Sequence, residues 1–401
     1  MKVLVLNCGS SSIKYQFYDT VQRVALAKGL VDRIGMSGAV LTHTRFDGDK
    51  INIVGEILDH AIGIEYVLAV LLSKNHGVIE DKSEIDAVGH RVVHGGETFT
   101  GSVLITPEVV KVLQDNVGLA PLHNPPNIKG IQAVTRVLPG IPQVGVFDTA
   151  FHSNMKPKAY LYGIPYELYK THQIRRYGFH GTSHRYVAGI AAKKLGKHKE
   201  DLKIVTAHLG NGCSMAAIDR GTSIDTSMGF TPLEGLLMGT RCGDIDTSII
   251  LHIMGKEGLQ LSEANTLLNK HSGLVGISGE SSDMREIISA MKEGHKRSRY
   301  AFEVFCYRIT KYIGAYAAAM GGIDALVFTG GIGENSPDVR EEVCRNLEFM
   351  GIKLDPEKNN NKDEDLSSEG STVHVFRIPT NEELVIALDT EVIVAHHEVD
   401  I

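Results

Sequence analysis

Val3-Leu4-Val5-Leu6, then Asn7-Cys8-Gly9-Ser10-Ser11-Ser12, then Ile13-Lys14-Tyr15-Gln16-Phe17-Tyr18: this stretch decides the fold. An apolar run, a turn of small polar residues and a second strand-forming run make a β-hairpin. The pattern returns about 200 residues later as Ile204–His208, then Leu209-Gly210-Asn211-Gly212-Cys213-Ser214, then Met215–Ile218. Each copy closes on an aspartate, Asp19 and Asp219. A repeat at half the length of a 401-residue chain predicts two similar halves facing each other across a cleft.

Helices lie between the strands. The clearest spans Ser298 to Met320, where Phe302, Phe305, Cys306, Ile309, Ile313 and Tyr316 recur at helical spacing before Gly321 and Gly322. It feeds an apolar strand, Ala325–Thr329, and the glycine turn Gly330-Gly331-Ile332-Gly333. Strands alternating with helices predict an α/β architecture. The length exceeds what one core serves, and a change of domain is expected near Phe151. Pro356 to Gly370 is polar and reads as an exposed loop.

Composition narrows the function. Hydrophobic residues make up 43% and charged residues 22%, an ordinary globular balance. The net charge of −7, with no local basic patch, argues against a nucleic-acid partner. The five cysteines form no CxxC pair, which argues against a disulfide scaffold or a zinc site. The apolar stretch from Arg299 to Met320 is interrupted by Glu303, Arg308 and Lys311, so no membrane span is expected. The apolar run Val3–Leu6 is too short for a secretory signal, so a cytoplasmic location is expected.

Three glycine-rich turns follow strands, at Asn7–Ser12, Gly210–Ser214 and Gly330–Gly333. Such turns let backbone N–H groups converge on a phosphate, although a purely structural turn is the commoner occurrence. Neither a Walker motif nor a G-x-G-x-x-G fingerprint is present, which weakens a nicotinamide-enzyme reading. Lys14, just past the first turn, can neutralise a phosphate or stand as a solvated strand residue. Arg91 in His90–Glu97, Arg176 in Arg176–His184 and Arg241 in Gly239–Asp244 each sit in a polar turn. Each arginine either pairs with a local carboxylate or serves an anion, and phosphoryl transfer needs such charge around its equatorial oxygens. Asp148 ends the apolar run Val144–Phe147, where α/β sheets place catalytic groups. Glu382 and Glu383 either ligate a metal or open a helix with Thr380 as N-cap.

Together these motifs resemble one family. Asn7–Lys14, Arg176–His184, Met228–Gly235, Gly330–Asn335 and Thr380–Glu383, in this order, are similar to the acetokinases, which include acetate, propionate and butyrate kinases. The resemblance runs from residue 1 to about residue 390. It implies two duplicated actin/Hsp70/sugar-kinase-like (ribonuclease H-like) α/β domains around a nucleotide cleft. Residues 1–150 would form the N-terminal domain and 151–383 the C-terminal nucleotide-binding domain, with the tail from about 384 to 401 packing on the former.

The resemblance also implies roles. Asn7 and Glu382 would be magnesium ligands, with manganese as an alternative ion, and Lys14, Ser10 and Ser12 phosphate contacts. Arg91 would meet the acid carboxylate, His180 and Arg241 the transferring phosphoryl group, and Asp148 an essential acidic role, in proton handling or metal positioning. Val93, Leu122, Phe179 and Pro232 would line a shallow methyl pocket, favouring acetate over propionate. His208, Leu209, Gly210, Asn211, Gly212, Asp283, Met284, Arg285, Gly331, Ile332, Gly333, Glu334 and Asn335 would bind ATP or ADP. The implied reaction is reversible, direct in-line transfer from ATP to acetate, giving acetyl phosphate, by a homodimer. A nucleotide-switched binding protein on the same fold is the rival of another class, and Arg91, His180 and Arg241 weigh against it.

Overall fold

The computed structural model describes residues 1–121 and 123–399. The opening hairpin is present: β1 (Lys2–Cys8) pairs antiparallel with β2 (Ser12–Asp19), from Lys2 opposite Asp19 to Cys8 opposite Ile13. Three further strands extend the meander: β3 (Val24–Asp32), β4 (Ala39–Arg45) and β5 (Lys50–Gly55). On the other side of β1, β6 (Ala87–Val92) and then β8 (Gln143–Phe147) run parallel to it. The short β7 (Val103–Leu104) closes that edge antiparallel to β8. The order is β5-β4-β3-β2-β1-β6-β8-β7.

A second sheet repeats the middle of the first. β9 (Lys203–Leu209) and β10 (Cys213–Asp219) form the second hairpin, from Lys203 opposite Asp219 to Leu209 opposite Cys213. With β11 (Thr222–Thr226), β12 (Ala325–Thr329) and β13 (His374–Arg377) the order is β11-β10-β9-β12-β13. β12 is parallel to β9, and β13 to β12. Order and polarity match β3-β2-β1-β6-β8, the duplicated arrangement of the actin/Hsp70/sugar-kinase fold. Asp19 and Asp219 occupy equivalent places, each opposite the lysine that opens its hairpin.

Alternation along β1 builds two layers. Leu4, Leu6 and Cys8 face a core shared with the helix His60–Leu71 and with Val134 of the helix Asn124–Val137. Val3 and Val5 face the other way, against Ile386, Ala387 and Val394 of the helix Glu382–Val399. β8 and β12, covered on both faces, are buried throughout. The chain divides into two compact units, Met1–Phe151 together with the segment from Asn381 onward, and His152–Thr380. Asn381, Glu382 and Glu383 therefore belong to the first unit.

The long helix spans Lys296–Met320, with Phe302, Phe305, Cys306, Ile309, Ile313 and Tyr316 buried and Gly321 ending it at φ +67°. Three local expectations need correction. Thr380 does not cap the last helix: Asn381 Oδ1 accepts the Leu384 N–H at 3.1 Å, while the Thr380 hydroxyl donates to Ser183 Oγ at 2.8 Å. The turn at Gly330 opens a short helix, Gly330–Asn335. Pro356–Gly370 is not simply an exposed loop, because it contains the helix Pro356–Asn361 and the fully buried Asn359 and Leu366. Asn359 is drawn inward by Arg340, whose Nε and Nη2 donate to its side-chain and main-chain oxygens at 2.7 and 3.0 Å. Among the described residues no helix is long and apolar enough to cross a membrane.

Candidate active site

In the first unit, β1, β6 and β8 are parallel, so their C-terminal ends share one edge of the sheet. Asn7, Arg91 and Asp148 emerge there, where an open α/β sheet places its ligands. Arg91 grips Asp148 with a fork: Nε donates to Oδ1 at 3.1 Å and Nη2 to Oδ2 at 2.7 Å. Asp148 is only 2% exposed, and its own N–H donates to Val92 O at 3.0 Å. The second carboxylate near Arg91 is Glu382, 4.0 Å away. Asp148 holds the Arg91 guanidinium well above its ordinary pKa against the opposing effect of burial. Glu382 is pushed up to about 7, chiefly by burial, with Asp148 and Glu383 adding repulsion that Arg91 and Lys14 partly offset.

Lys14 stands directly opposite Asn7 in the hairpin. Asn7, Lys14, Arg91, Glu382 and Glu383 line one cavity of about 260 Å³, which continues over the sheet past Gln16, Lys28, Thr42 and Thr44. Ser10 and Ser12 sit in the turn that follows Asn7, closed by the Gly9 N–H donating to Ser12 O at 2.8 Å. His60 Nε2 donates to Gly9 O at 2.8 Å and ties that turn to the adjoining helix. Val93 is buried just past Arg91, and Leu122 lies outside the described residues.

The second unit holds His180 and Arg241. His180 has φ 55°, a backbone state an L-residue adopts at a cost, at the head of the helix Gly181–Lys194. Its ring stacks on His208 with centroids 4.2 Å apart, and its Nδ1 meets Ser214 Oγ at 2.9 Å. Ser214 also meets the buried His184 Nε2 at 2.8 Å, so the orientation of His180 is fixed from below. A Cβ on Gly212 would stand 3.3 Å from Arg241 Nη1 and 3.7 Å from His180 Cε1. The bare turn leaves room for both side chains close to the backbone.

Of the three arginines found in polar turns, the two in this unit part company. Arg176 is structural: Nη2 donates to Glu234 at 2.6 Å and Nη1 to Thr226 O at 3.0 Å. Arg241 has no carboxylate partner among the described residues, its Nη1 donating to Pro232 O at 3.0 Å. Burial pushes its pKa down, the mark of a charge without a counter-ion. Phe179 is buried in this unit and Pro232 half-buried, while Val93 belongs to the first unit.

A second cavity, of about 630 Å³, is lined by Gly210, Asn211, Asp283, Met284, Arg285, Gly331, Ile332 and Asn335. Leu209 and Gly333 are buried rather than part of that lining. Glu334 serves the backbone: its carboxylate accepts the N–H groups of Gly330 and Thr380 at 3.0 and 3.2 Å. Asp283 caps the helix Met284–Lys292 and pairs with Arg285. Ser282, Ile288, Ser336, Pro337 and Asp338 complete the lining and were missed in the sequence. The Ser336-Pro337 pair that opens the helix Pro337–Cys344 directly after the glycine turn was the available signal. In the first unit Lys28, Thr42 and Thr44 were missed because their strands carry no motif.

An arginine fork on a carboxylate at one sheet edge, and a glycine-lined cavity in the unit that holds His180 and Arg241, match one set of known proteins. The family model described as the acetokinase family covers residues 2–388. The chain belongs to the acetokinase family. It is therefore a kinase, a phosphotransferase with a carboxylate acceptor, for which ATP is the co-substrate and a divalent metal typical. The acetate kinase of Natranaerobius thermophilus is 54% identical over 393 residues, 98% of this chain and 99% of that one. That of Caldanaerobacter subterraneus subsp. tengcongensis is 57% identical over 397 residues, with 98% and 99% covered. Among solved structures, Porphyromonas gingivalis acetate kinase superposes with a TM-score of 0.95 at 50% identity, covering 98% of this chain and 99% of that one. A propionate kinase from Francisella tularensis gives 0.91 at 42% identity, with 97% and 99% covered.

Proposed function

We propose that this acetokinase transfers the γ-phosphoryl group of ATP reversibly to acetate, giving acetyl phosphate and ADP by direct in-line attack. The observation that carries the reading is the Arg91 fork. Of the five N–H donors of a guanidinium, two engage Asp148, which leaves three, pre-oriented, for a carboxylate at the rim of the cavity. The nucleophile is already an anion, so no general base and no covalent enzyme intermediate is required. Arg91 offsets repulsion between the acid and the nucleotide, and Asp148 keeps Arg91 in place. His180 and Arg241 hold the charge that develops on the phosphoryl oxygens. The residues of the larger cavity hold the nucleotide.

The donor set at Asn7 and Glu382 fits a magnesium ion, with manganese as an alternative. Burial and two neighbouring carboxylates push Glu382 up to about 7, a surplus of negative charge that a divalent cation relieves. When bound, the ion supplies charge neutralisation at the phosphates. Among the described residues no cluster of three His, Cys, Asp or Glu could hold a metal, which suits an ion that keeps water and phosphate ligands.

Val93, Phe179 and Pro232 are proposed to bound the methyl group, together with Leu122. Propionate is the second reading, favoured by the likeness to the Francisella protein. Hydroxamate formation with MgATP and hydroxylamine, comparing acetate, propionate and butyrate, decides: signal falling with chain length is expected. A propionate maximum replaces the substrate, and no signal with any acid rejects the reading. A cytoplasmic homodimer is part of the same proposal. The helix Thr247–Glu257 buries none of its residues, and Ile249 and Leu251 stand 44% and 69% exposed, as a surface awaiting a second copy would. Leu251→Glu should convert the dimer to monomer in light scattering; a monomeric parent protein would refute this part.

A further inference from the structure

The helix Asn124–Val137 turns one stripe towards the strand ends that carry the first unit's chemistry. The parallel ladder between β1 and β6 runs from Val3 with Ala87 to Leu6 with His90. Past that last pair the strands are bridged by a side chain. Asn127, 3% exposed, donates from Nδ2 to Cys8 O at 2.9 Å and accepts the Val93 N–H on Oδ1 at 3.1 Å. Its amide thus does for the strand ends what a peptide group does inside a sheet. The two bridged positions are one residue past Asn7 and two past Arg91.

Neighbours on the same stripe support this. Asn124, one turn earlier, donates from Nδ2 to His94 O at 3.0 Å. Gly130, one turn later, lies so close to β1 that a Cβ would stand 2.4 Å from Cys8 Sγ. The bare glycine lets the helix approach near enough for the Asn127 amide to reach Cys8 O. Positions 124, 127 and 130 share a helix face at i, i+3 spacing. The planar amide presents a donor and an acceptor side by side; aspartate would keep the acceptor alone.

We infer that Asn127 is a positioning residue for the phosphoryl transfer, fixing the separation between the metal-and-phosphate end of β1 and the acid-binding end of β6. The inference rests on the acid-kinase reading. It is tested with Asn127→Ala and Asn127→Asp, beside Val134→Ala, a fully buried apolar core residue two turns further along the same helix. For Asn127→Ala, kcat should fall about 10- to 100-fold and the acid KM rise several-fold, while the ATP KM stays within about twofold. Asn127→Asp keeps the Val93 bond and loses the Cys8 bond, so kcat should fall with the acid KM near its parent value. Val134→Ala should lower Tm and leave kcat unchanged. A folded Asn127→Ala protein with lowered Tm and normal kcat overturns the inference, since the amide would then be structural only. If the alanine variant does not fold, the aspartate variant decides, and failure of both to fold also overturns it. A parent protein that forms no acyl phosphate rejects the reading itself, which separates the two failures.

Discussion

Lowering the pH from 7.5 to 5.5 should weaken the second unit more than the first. Burial holds His152 down to about 4 and His184 well below the ordinary 6.5, both in the second unit. A histidine kept neutral in the fold binds its proton only on unfolding, so stability falls as pH drops through 6.5 and goes on falling to the folded value. At pH 5.5 each such residue costs about 1.4 kcal/mol, hence about 3 kcal/mol for the pair. In the first unit, burial lowers His90 and His94 to about 4, and His43 in the same direction. Glu382, raised to about 7, acts oppositely: the folded state takes up its proton first, which returns about 2 kcal/mol at pH 5.5. The first unit should therefore lose only about 1–2 kcal/mol. The chain has no tryptophan, so Tyr66→Trp and Phe302→Trp report the two units separately in urea at fixed ionic strength without added metal. A loss of about 3 kcal/mol moves the second unit's midpoint by roughly 1 M. A second-unit midpoint that does not move, or a first unit that gives way further, refutes the reasoning.

Three further outcomes are expected. Arg91→Ala should raise the acid KM about 10- to 100-fold, the loss of a charge-assisted contact, and an unchanged acid KM with normal kcat removes Arg91 from the site. Val93→Ala should raise kcat/KM for propionate relative to acetate about 10-fold, as one methylene of room is worth ~1–3 kcal/mol; an unchanged ratio places the methyl group elsewhere. Arg340→Met leaves Gly333 O and the Asn359 side-chain oxygen without their donor, and Asn359 O with the Lys362 N–H alone, so thermal unfolding should show a loss of about 2–4 kcal/mol, with a raised ATP KM if the adjoining Gly331–Ile332 wall of the larger cavity holds the nucleotide as proposed. A Tm equal to the parent's contradicts that accounting.

What was legible in the sequence is what depends on near neighbours. Each hairpin is contiguous, so strand, small-residue turn and strand could be read directly, and the repeat of Asp19 at Asp219 exposed the duplication. The helix Lys296–Met320 showed itself through periodicity alone. The charge pairings did not. Arg91 and Asp148 are 57 residues apart and meet because β6 and β8 align Arg91 with Val146. Arg176 and Arg241 look alike in polar turns, yet Glu234, 58 residues from the first, makes one structural and leaves the other available. Asn359 looked like a loop residue because its partner, Arg340, lies in another helix, 19 residues away. Asn127 had no local signal beyond the 124, 127, 130 spacing, which acquires meaning only once the helix is laid on β1.

Under the proposed roles, Arg91 and Arg241 divide charge between substrate and transition state. Arg91 is tied to a nearly buried carboxylate, which cancels much of its attraction but fixes the plane of its fork. An acid meeting it would gain orientation as well as affinity, and orientation is what in-line attack between two anions requires. Among the described residues Arg241 is held by Pro232 O and the Met238 thioether, at 3.0 and 3.8 Å, so no carboxylate there diminishes its charge beside Gly212. A counter-ion there would stabilise the enzyme at rest and weaken its hold on the charge that appears during transfer. Binding that acts on the transition state raises kcat, whereas equal binding of the ground state only lowers KM. In the proposed reaction, a neutralised arginine for the acid and an unneutralised one for the phosphoryl group would each act where they speed the transfer.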